Sequence, residues 1–324
     1  MYSNKIRSAY RARIHRKRFI FFTGLLLAGA VVLAGGVYII GRFKEGAGSE
    51  RKELLQLWDS GSYDEVFTQS GAALASRPVD YFLLTMHGFS AYQMGISQIN
   101  SLDSARYFDE CIESLRKAML LKNAANDGRL YYVLGKAYSN KGESYADLAV
   151  KFLENARGLS YKAADIPEYL GKAYAAIGDY RSSVAAFSEA LDPSTVLDPN
   201  AASAPQSAKH TDKLFLFIAR SYFELGEFDT ARAYLQRCID ISPDSQTVFD
   251  AKLLLAEVRT KTGDINGAVK QLREILELED NAEAHYRLGE LYALQGDMIR
   301  ARAEWRLALR ADPAHIKARQ RLSM

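Results

Sequence analysis

The sequence predicts an all-α fold in which pairs of short helices repeat and stack into an α-solenoid, preceded by one transmembrane helix. The stretch Leu170–Pro193 recurs with nearly the same spacing as Leu288–Pro313, and each reads as two amphipathic helices around a glycine turn. Only 7 prolines occur among the 324 residues, which leaves long helix-forming segments uninterrupted. Phe19–Ile40 is a run of 22 residues without a charged side chain. These three observations fix the predicted fold class.

Composition and charge exclude one broad class of function. The chain is 48% hydrophobic and 25% charged, which is typical of a folded protein. Its net charge of +3 is unevenly distributed, because residues 1–42 hold eight basic side chains and no acidic ones. The remainder has 34 basic and 39 acidic residues, a net charge of −5. A mildly acidic body argues against general nucleic-acid binding, which needs a clustered basic surface.

The apolar run near the N-terminus predicts a membrane anchor. As a helix, Phe19–Ile40 would span roughly 33 Å, enough to cross a bilayer. The basic cluster Arg13–Arg18 precedes it directly, and basic flanks stay on the cytoplasmic side. We therefore expect an uncleaved signal-anchor with residues 1–18 as a cytoplasmic tail, 41–46 as a linker and the repeats outside the cytoplasm. A bacterial cytoplasmic (inner) membrane fits this single-pass arrangement.

Two alternatives to this arrangement stay open at the sequence level. The small residues Ala28–Ala30 and Ala34–Gly36 leave room for cleavage, although a cleavable signal usually has a shorter apolar region of about 7–15 residues. The opposite topology has the repeats in the cytosol, and it would place the basic N-terminus on the side of the membrane that basic flanks normally avoid.

Glycines at near-regular spacing define seven repeat units. The candidate turn glycines follow one another at intervals of 34, 47, 36, 48, 37 and 33 residues; they are Gly61, Gly95, Gly142, Gly178, Gly226, Gly263 and Gly296. The predicted organisation is units 1–4 over 47–191, a Pro-rich connection over 192–211, units 5–7 over 212–315 and a cap over 316–324. Extra residues at 96–106 would lengthen the helices of unit 2 or add a loop. The connection would divide the array into two blocks.

The repeat resembles the tetratricopeptide repeat (TPR) family. The last unit, 282–315, matches the family pattern best; its matching residues are Leu288, Gly289, Tyr292, Gly296, Ala301, Trp305, Ala308 and Pro313. The resemblance implies a right-handed solenoid, since one helical pair cannot bury both of its faces and must stack on its neighbours. It also implies a concave groove, lined by the first helix of each unit, that binds segments of partner proteins.

The search for catalytic or metal-binding motifs returns none. The sequence lacks HExxH, GxSxG and GxxxxGK[ST], and its five histidines are scattered. His87 and His285 occupy repeat-core places and are interpreted as packing residues. Cys111 and Cys238 are far apart in sequence and are expected to be buried free thiols. We predict no enzyme, no cofactor and no metal.

Register within the repeat places charged and aromatic residues in the groove. The candidate partner-binding residues are Arg129, Tyr132, Lys136, Asn140, Lys172, Lys213, Arg220 and Phe223. Units 6 and 7 would contribute an acidic section consisting of Asp250, Glu257, Glu283, Tyr286 and Glu290. The hypothesis is that the basic section binds an acidic or C-terminal carboxylate segment of a protein partner through charge-assisted hydrogen bonds.

The predicted function is that of a membrane-anchored scaffold or adaptor on the extracytoplasmic face. A chaperone-like helper of exported polypeptides near a translocon is one alternative. A cytosol-facing receptor with the reversed topology is the other.

Overall fold

The computed structural model describes residues 48–121, 126–191 and 211–323, and within these ranges the chain is all-α. The predicted tail, membrane span Phe19–Ile40 and linker lie outside the described residues. Within the described ranges, no helix is both long and apolar enough to cross a bilayer.

The described ranges form fifteen α-helices, numbered in chain order, and one 3₁₀ turn at Glu143–Tyr145. The helices are α1 (48–59), α2 (Tyr63–Leu74), α3 (Tyr81–Ser97), α4 (Ser101–Met119), α5 (Gly128–Asn140), α6 (Ala146–Gly158), α7 (Ile166–Ala176), α8 (Tyr180–Ala190), α9 (Thr211–Glu224), α10 (Phe228–Ile241), α11 (Ser245–Lys261), α12 (Ile265–Leu276), α13 (Ala282–Leu294), α14 (Met298–Ala311) and α15 (Ile316–Ser323). Each odd-numbered helix from α3 to α13 packs against the helix that follows it, and each pair packs on the next. α1 and α2 share a buried cluster with α3 through Leu54, Val66 and Leu83. The prediction of an all-α solenoid is confirmed.

Glycines with positive φ make the tight turn inside six of the seven pairs. Their φ values lie between +77° and +108°; they are Gly61, Gly142, Gly178, Gly226, Gly263 and Gly296. An L-residue at these places would be strained, whereas glycine is not. The assignment of Gly95 as the turn residue of unit 2 is wrong, because Gly95 lies inside α3. A Cβ there would stand 2.7 Å from the Phe108 ring, so Gly95 serves the close approach of α4.

The extra residues of unit 2 lengthen its helices. α3 has 17 residues and α4 has 19, whereas α13 and α14 of the best-matching unit have 13 and 14. Because α3 continues past Gly95, the connection at 98–100 comes later in unit 2 than the glycine turn does in the other units. Of the two alternatives, the structure has the longer helices.

The packing is continuous between units 4 and 5. Phe187 and Leu191 of unit 4 share one buried cluster with Leu214 and Phe215 of α9. The hydroxyl groups of Ser183 and Ser221 are also hydrogen-bonded across the same junction at 2.9 Å. The expected division of the array into two blocks is therefore not found in the packing. Thr211, predicted to end the connection, is the first residue of α9.

Both cysteines are buried free thiols in different units, as expected. Cys111 lies on α4 and Cys238 on α10, and each is fully buried. Burial raises the pKa of both thiols, to about 12 for Cys238, because the thiolate loses its hydration. Neither thiol is poised for chemistry at neutral pH.

Aspartates cap many of the helices by accepting hydrogen bonds from backbone N–H groups of the first turn. These capping residues are Asp80, Asp127, Asp179, Asp244, Asp264 and Asp297. The cap satisfies donors that have no partner within the helix, and its negative charge suits the helix N-terminus. The start of these six helices is therefore encoded locally.

These caps predict a specific loss of stability in acid. The pKa of Asp179 is lowered by hydrogen bonds from Ser182, and that of Asp297 by the backbone N–H of Arg300. A lowered carboxyl pKa stabilises the fold above the ordinary value of about 3.9, and this stabilisation is lost as the pH falls through the folded-state pKa. Urea unfolding should give nearly constant stability from about pH 7 to 5 and a decline below about pH 4.

A neutral cap provides the control for the acid prediction. Asn caps a helix about as well as Asp but does not titrate in this range. Asp179→Asn should therefore flatten the decline between pH 4 and 3 relative to the native chain. Identical acid profiles for the two chains would contradict the assignment of the caps.

Candidate peptide-binding groove

The first helices of units 3 to 7 line a chain of three adjoining cavities. The largest, about 590 Å³, lies over units 3–5, and a second of about 280 Å³ lies over units 5–7. A third of about 290 Å³ lies between α11, α13 and α15. Arg220 and Glu224 border the first two cavities, and Glu257 and Arg287 border the second and third. Together they form one groove.

The largest cavity owes its width to small side chains on α7. Ala173, Ala175 and Ala176 form its floor, so no long side chain fills the space between neighbouring units. Phe217 from α9 forms an apolar wall, and the ammonium group of Lys172 lies over this ring at 5.3 Å from its centroid. The cavity thus offers an apolar surface beside a cation.

Lys136 and Tyr132 are not presented to a partner as expected. The Lys136 ammonium donates hydrogen bonds to Asp165 at 2.7 Å and to the Tyr132 hydroxyl at 3.0 Å, and its side chain is 14% exposed. It also lies within 5.5 Å of the ring centroids of Tyr92 and Tyr169. Burial disfavours its charge, but the hydrogen bonds that it donates to Asp165 and Tyr132 outweigh burial and raise the Lys136 pKa. This cluster joins units 2, 3 and 4.

Arg129 and Asn140 make contacts within their own helix or its cap. The Arg129 guanidinium donates to both carboxylate oxygens of Asp127, at 3.0 and 2.8 Å, although its side chain stays 62% exposed. The Asn140 amide donates to the carbonyl of Lys136 at 2.8 Å. Tyr81 of the preceding unit also donates to Asp127, at 2.8 Å. Arg129 and Asp127 therefore present a nearly neutral pair.

The remaining basic candidates are more accessible than Lys136, and two of them, Lys213 and Arg220, are only loosely paired. Lys172 pairs with Glu168 on the same helix at 2.6 Å. Lys213 and Arg220 each approach a carboxylate of the next unit, Asp244 and Asp250, at 3.9 Å. At this distance an exposed pair is weak and is easily exchanged for another anion.

Phe223 lies in the second cavity, where its half-buried ring meets that of Phe228 edge-on at 5.6 Å. It is near Arg220 on the same helix, one turn away. Lys172, Arg220 and Phe223 are thus brought together in the groove, whereas Lys136 is held away from it.

The acidic section is paired with bases of its own region. Glu257 and Glu283 both bind Arg287, at 2.8 and 2.7 Å, and Glu283 also contacts His315. Glu290 pairs with Arg321. The sequence predicts a basic and an acidic section of the groove. In the structure, ion pairs between neighbouring units partly neutralise both sections.

Several residues that line the groove were missed in the sequence, among them Phe217, Glu224 and Arg287. Phe217 and Arg287 each occupy the sixth position of their unit, counted from 212 and 282. The sequence assignment used other places of the same helices. Applying the sixth place to every unit would have found both.

The two repeat-core histidines are packed as expected. His87 stacks on Phe67 with ring centroids 4.3 Å apart and contacts the hydroxyl of Ser70. Burial lowers its pKa, since the imidazolium would lose its hydration. His285 lies between Asp280 and Glu304 at 2.9 and 2.6 Å. Across the described ranges, no group of three or more His, Cys, Asp or Glu side chains has a metal-binding arrangement.

Fold and groove together define a TPR-like α-solenoid protein. A family model described as a tetratricopeptide repeat-like domain matches residues 200–324. The C-terminal part of a TPR repeat-containing protein from Cytophaga hutchinsonii superposes with a TM-score of 0.53 at 16% identity, over 85% of this chain and 100% of that one. PilW, described as a type IV pilus biogenesis factor, gives a TM-score of 0.53 at 16% identity over 72% of this chain and 97% of its own. These likenesses show the fold.

One curated relative is similar in sequence. The Arabidopsis thaliana protein CTR9 homolog is 31% identical over 106 residues. The aligned stretch is 32% of this chain and 10% of that protein, so the chain spans a small part of the relative it matches.

Proposed function

We propose that this protein is a non-enzymatic scaffold or adaptor that binds extended or helical segments of partner proteins in the groove over units 4–6. Phe19–Ile40 would anchor it, with the repeats on the extracytoplasmic face of a bacterial inner membrane. TPR-like repeats support a role in protein–protein interaction, and the groove supplies the place.

One observation carries this proposal. The 590 Å³ cavity combines an apolar wall, Phe217, with two cations, Lys172 and Arg220, whose side chains remain 40% and 53% exposed. An aromatic wall provides desolvated contact area, and partly exposed cations can exchange an internal carboxylate for one on a partner. A segment that places an acidic side chain next to an apolar one fits this combination.

In-cell photo-crosslinking tests the groove. A photoreactive residue at Ala176, in the groove, should capture a small set of defined partners, whereas the same residue at Arg232 on α10 should not. Lys172→Glu with Arg220→Glu should reduce capture at least about tenfold, since each charge-assisted hydrogen bond contributes roughly 1.5–3 kcal/mol. Capture that is equal at both positions, or unchanged by the reversals, would remove the groove as the binding site.

Lys136 is left out of these reversals for a structural reason. Lys136→Glu would place a second carboxylate beside Asp165 in a half-buried cluster and would destabilise units 2–4. Loss of binding would then report unfolding. Arg232→Glu, on an exposed face of unit 5, is the matched charge reversal for which capture at Ala176 should be unchanged.

The identity of the captured chains separates scaffold from helper. A few defined partners support the scaffold, whereas many nascent secreted chains support a chaperone-like role. Topology is tested independently by alkaline phosphatase fused after Met324, which should be active. An inactive fusion at normal expression would place the repeats in the cytosol and favour the receptor alternative.

A further inference from the structure

The turn between α13 and α14 exposes three aliphatic side chains. Leu294 is 69% exposed, Met298 46% and Ile299 86%. Burying aliphatic area is favourable, so a cluster of this kind is a candidate contact surface.

A stripe of arginines continues from this cluster along α14. Arg302, Arg306 and Arg310 follow Ile299 at helical spacing, so all four side chains lie on one face. The opposite face of α14 is buried through Ala301, Trp305 and Ala308. The stripe therefore points away from the repeat core.

The arginine stripe is poorly neutralised by the protein itself. Arg310 meets Asp280 at 3.3 Å, but no carboxylate in the described ranges lies within salt-bridge distance of Arg302 or Arg306. Like charges four residues apart destabilise a helix. On two other second helices a basic residue is paired within the helix: Arg232 with Asp229 on α10, and Lys270 with Glu274 on α12. Arginines without carboxylate partners, next to exposed aliphatic side chains, indicate a binding partner that offers anionic groups beside an apolar region.

We propose that this surface, defined by Leu294, Met298, Ile299, Arg302 and Arg306, docks onto an anionic phospholipid bilayer. The arginines would bind lipid phosphates, for which the planar guanidinium is well suited. The aliphatic side chains would enter the boundary between headgroups and acyl chains. Ile299, Arg302 and Arg306 lie on the outward face of α14, whereas Leu294 also borders the third cavity of the groove. The first cavity, which carries the proposed partner binding, does not include any of the five residues, so the two proposals are tested at different places.

The aliphatic cluster favours a lipid over a nucleic acid. Protein surfaces that bind single-stranded nucleic acid commonly combine basic side chains with exposed aromatic rings, on which the bases stack. The five residues of this surface include no aromatic side chain. Three exposed aliphatics contribute little on a sugar-phosphate backbone but partition favourably into a bilayer interface.

A fluorescent probe inside the stripe tests the proposal. Ala303 is exposed, lies between the arginines and makes no proposed contact, so Ala303→Cys can be labelled with an environment-sensitive dye. The native cysteines are buried and should not react. The full chain, held in phosphatidylcholine nanodiscs so that any anchor is already occupied, is titrated with separate phosphatidylglycerol vesicles. The dye emission should shift to the blue, and the shift should weaken as salt screens the charges.

Variants and a second probe position make the result specific. Arg302→Gln with Arg306→Gln should raise the lipid concentration for the half-maximal shift about thirtyfold, which is about fivefold per arginine. A dye at Leu278→Cys, also an exposed site but on unit 6 (78% exposed), should not respond. Circular dichroism should show unchanged helix content in each variant.

Four outcomes would overturn the proposal. They are no shift with phosphatidylglycerol, an equal shift with phosphatidylcholine vesicles, an unchanged titration in the double variant, and a response to a single-stranded oligonucleotide without a response to phosphatidylglycerol. The last would assign the stripe to a nucleic acid. Each outcome leaves the crosslinking result for the groove unaffected, so the two proposals fail separately.

Discussion

Replacing Phe187 by alanine is expected to lower the free energy of unfolding by about 3–5 kcal/mol, the range for deleting a buried aromatic side chain. Phe187 is 1% exposed and stacks on Phe217 with ring centroids 5.3 Å apart. It also fills the space left by Gly171, where a Cβ would be 2.6 Å from the ring. One side chain thus holds α7, α8 and α9 together.

The position of Phe187 predicts how the array unfolds as well as how much stability is lost. A solenoid is stabilised mainly by contacts between neighbouring units. Weakening the junction between units 4 and 5 should therefore split the single urea transition into two. Far-UV circular dichroism would detect both the shift and the split, and hydrogen exchange would locate them.

A half-buried phenylalanine nearby is the matched control. Phe228 begins α10 and contacts Phe223 from the edge of the same cluster. Phe228→Ala removes the same number of atoms but should cost clearly less and keep one transition. Equal effects for the two substitutions would refute a special role of Phe187 at the junction.

The second large effect is expected from adding a single methyl group at Gly289. A Cβ there would stand 2.6 Å from the Trp305 ring and 3.0 Å from the carbonyl oxygen of Ala301. The ring is 2% exposed and the carbonyl belongs to the α14 backbone, so neither can yield without separating the two helices. Overpacking costs about 1–3 kcal/mol, more than the gain in helix propensity of about 1 kcal/mol. Thermal unfolding should show the decrease.

The same substitution at an open glycine should have the opposite sign. Gly158 ends α6, and a Cβ there would meet no atom within 4 Å. Gly158→Ala should leave stability unchanged or raise it by up to about 1 kcal/mol, because alanine loses less backbone entropy on folding. A stabilised Gly289→Ala chain would show that α13 and α14 have room that the structure does not contain.

The groove charges bear on how a partner would bind. All five predicted basic residues already contact a carboxylate within the protein, from 2.6 Å at Lys172 to 3.9 Å at Lys213 and Arg220. A partner must compete with these internal contacts, and the cost is lower at the more exposed side chains of Lys172 (40%) and Arg220 (53%) than at Lys136 (14%). Binding is therefore expected to depend more on Lys172 and Arg220 than on Lys136.

The repeat pattern by itself determined the helical pairs and most of their turns. Small residues and turn glycines recur because two helices must approach closely and then reverse, and both demands are local. Gly95 is the instructive exception. It shares the spacing of the turn glycines but lies within a longer helix against Phe108, and spacing cannot distinguish a glycine needed for positive φ from one needed for close packing.

The tertiary structure alone decided which groove side chains remain available. Sequence register placed Lys136 and Arg220 on the same face of their helices, but it could not show that Asp165 and three tyrosines would enclose one and leave the other about half exposed. Helical periodicity depends on residues within one helix, whereas charge compensation depends on residues about thirty positions away. The local sequence therefore determines the direction in which a side chain points, whereas the stacking of neighbouring units determines which partners it contacts.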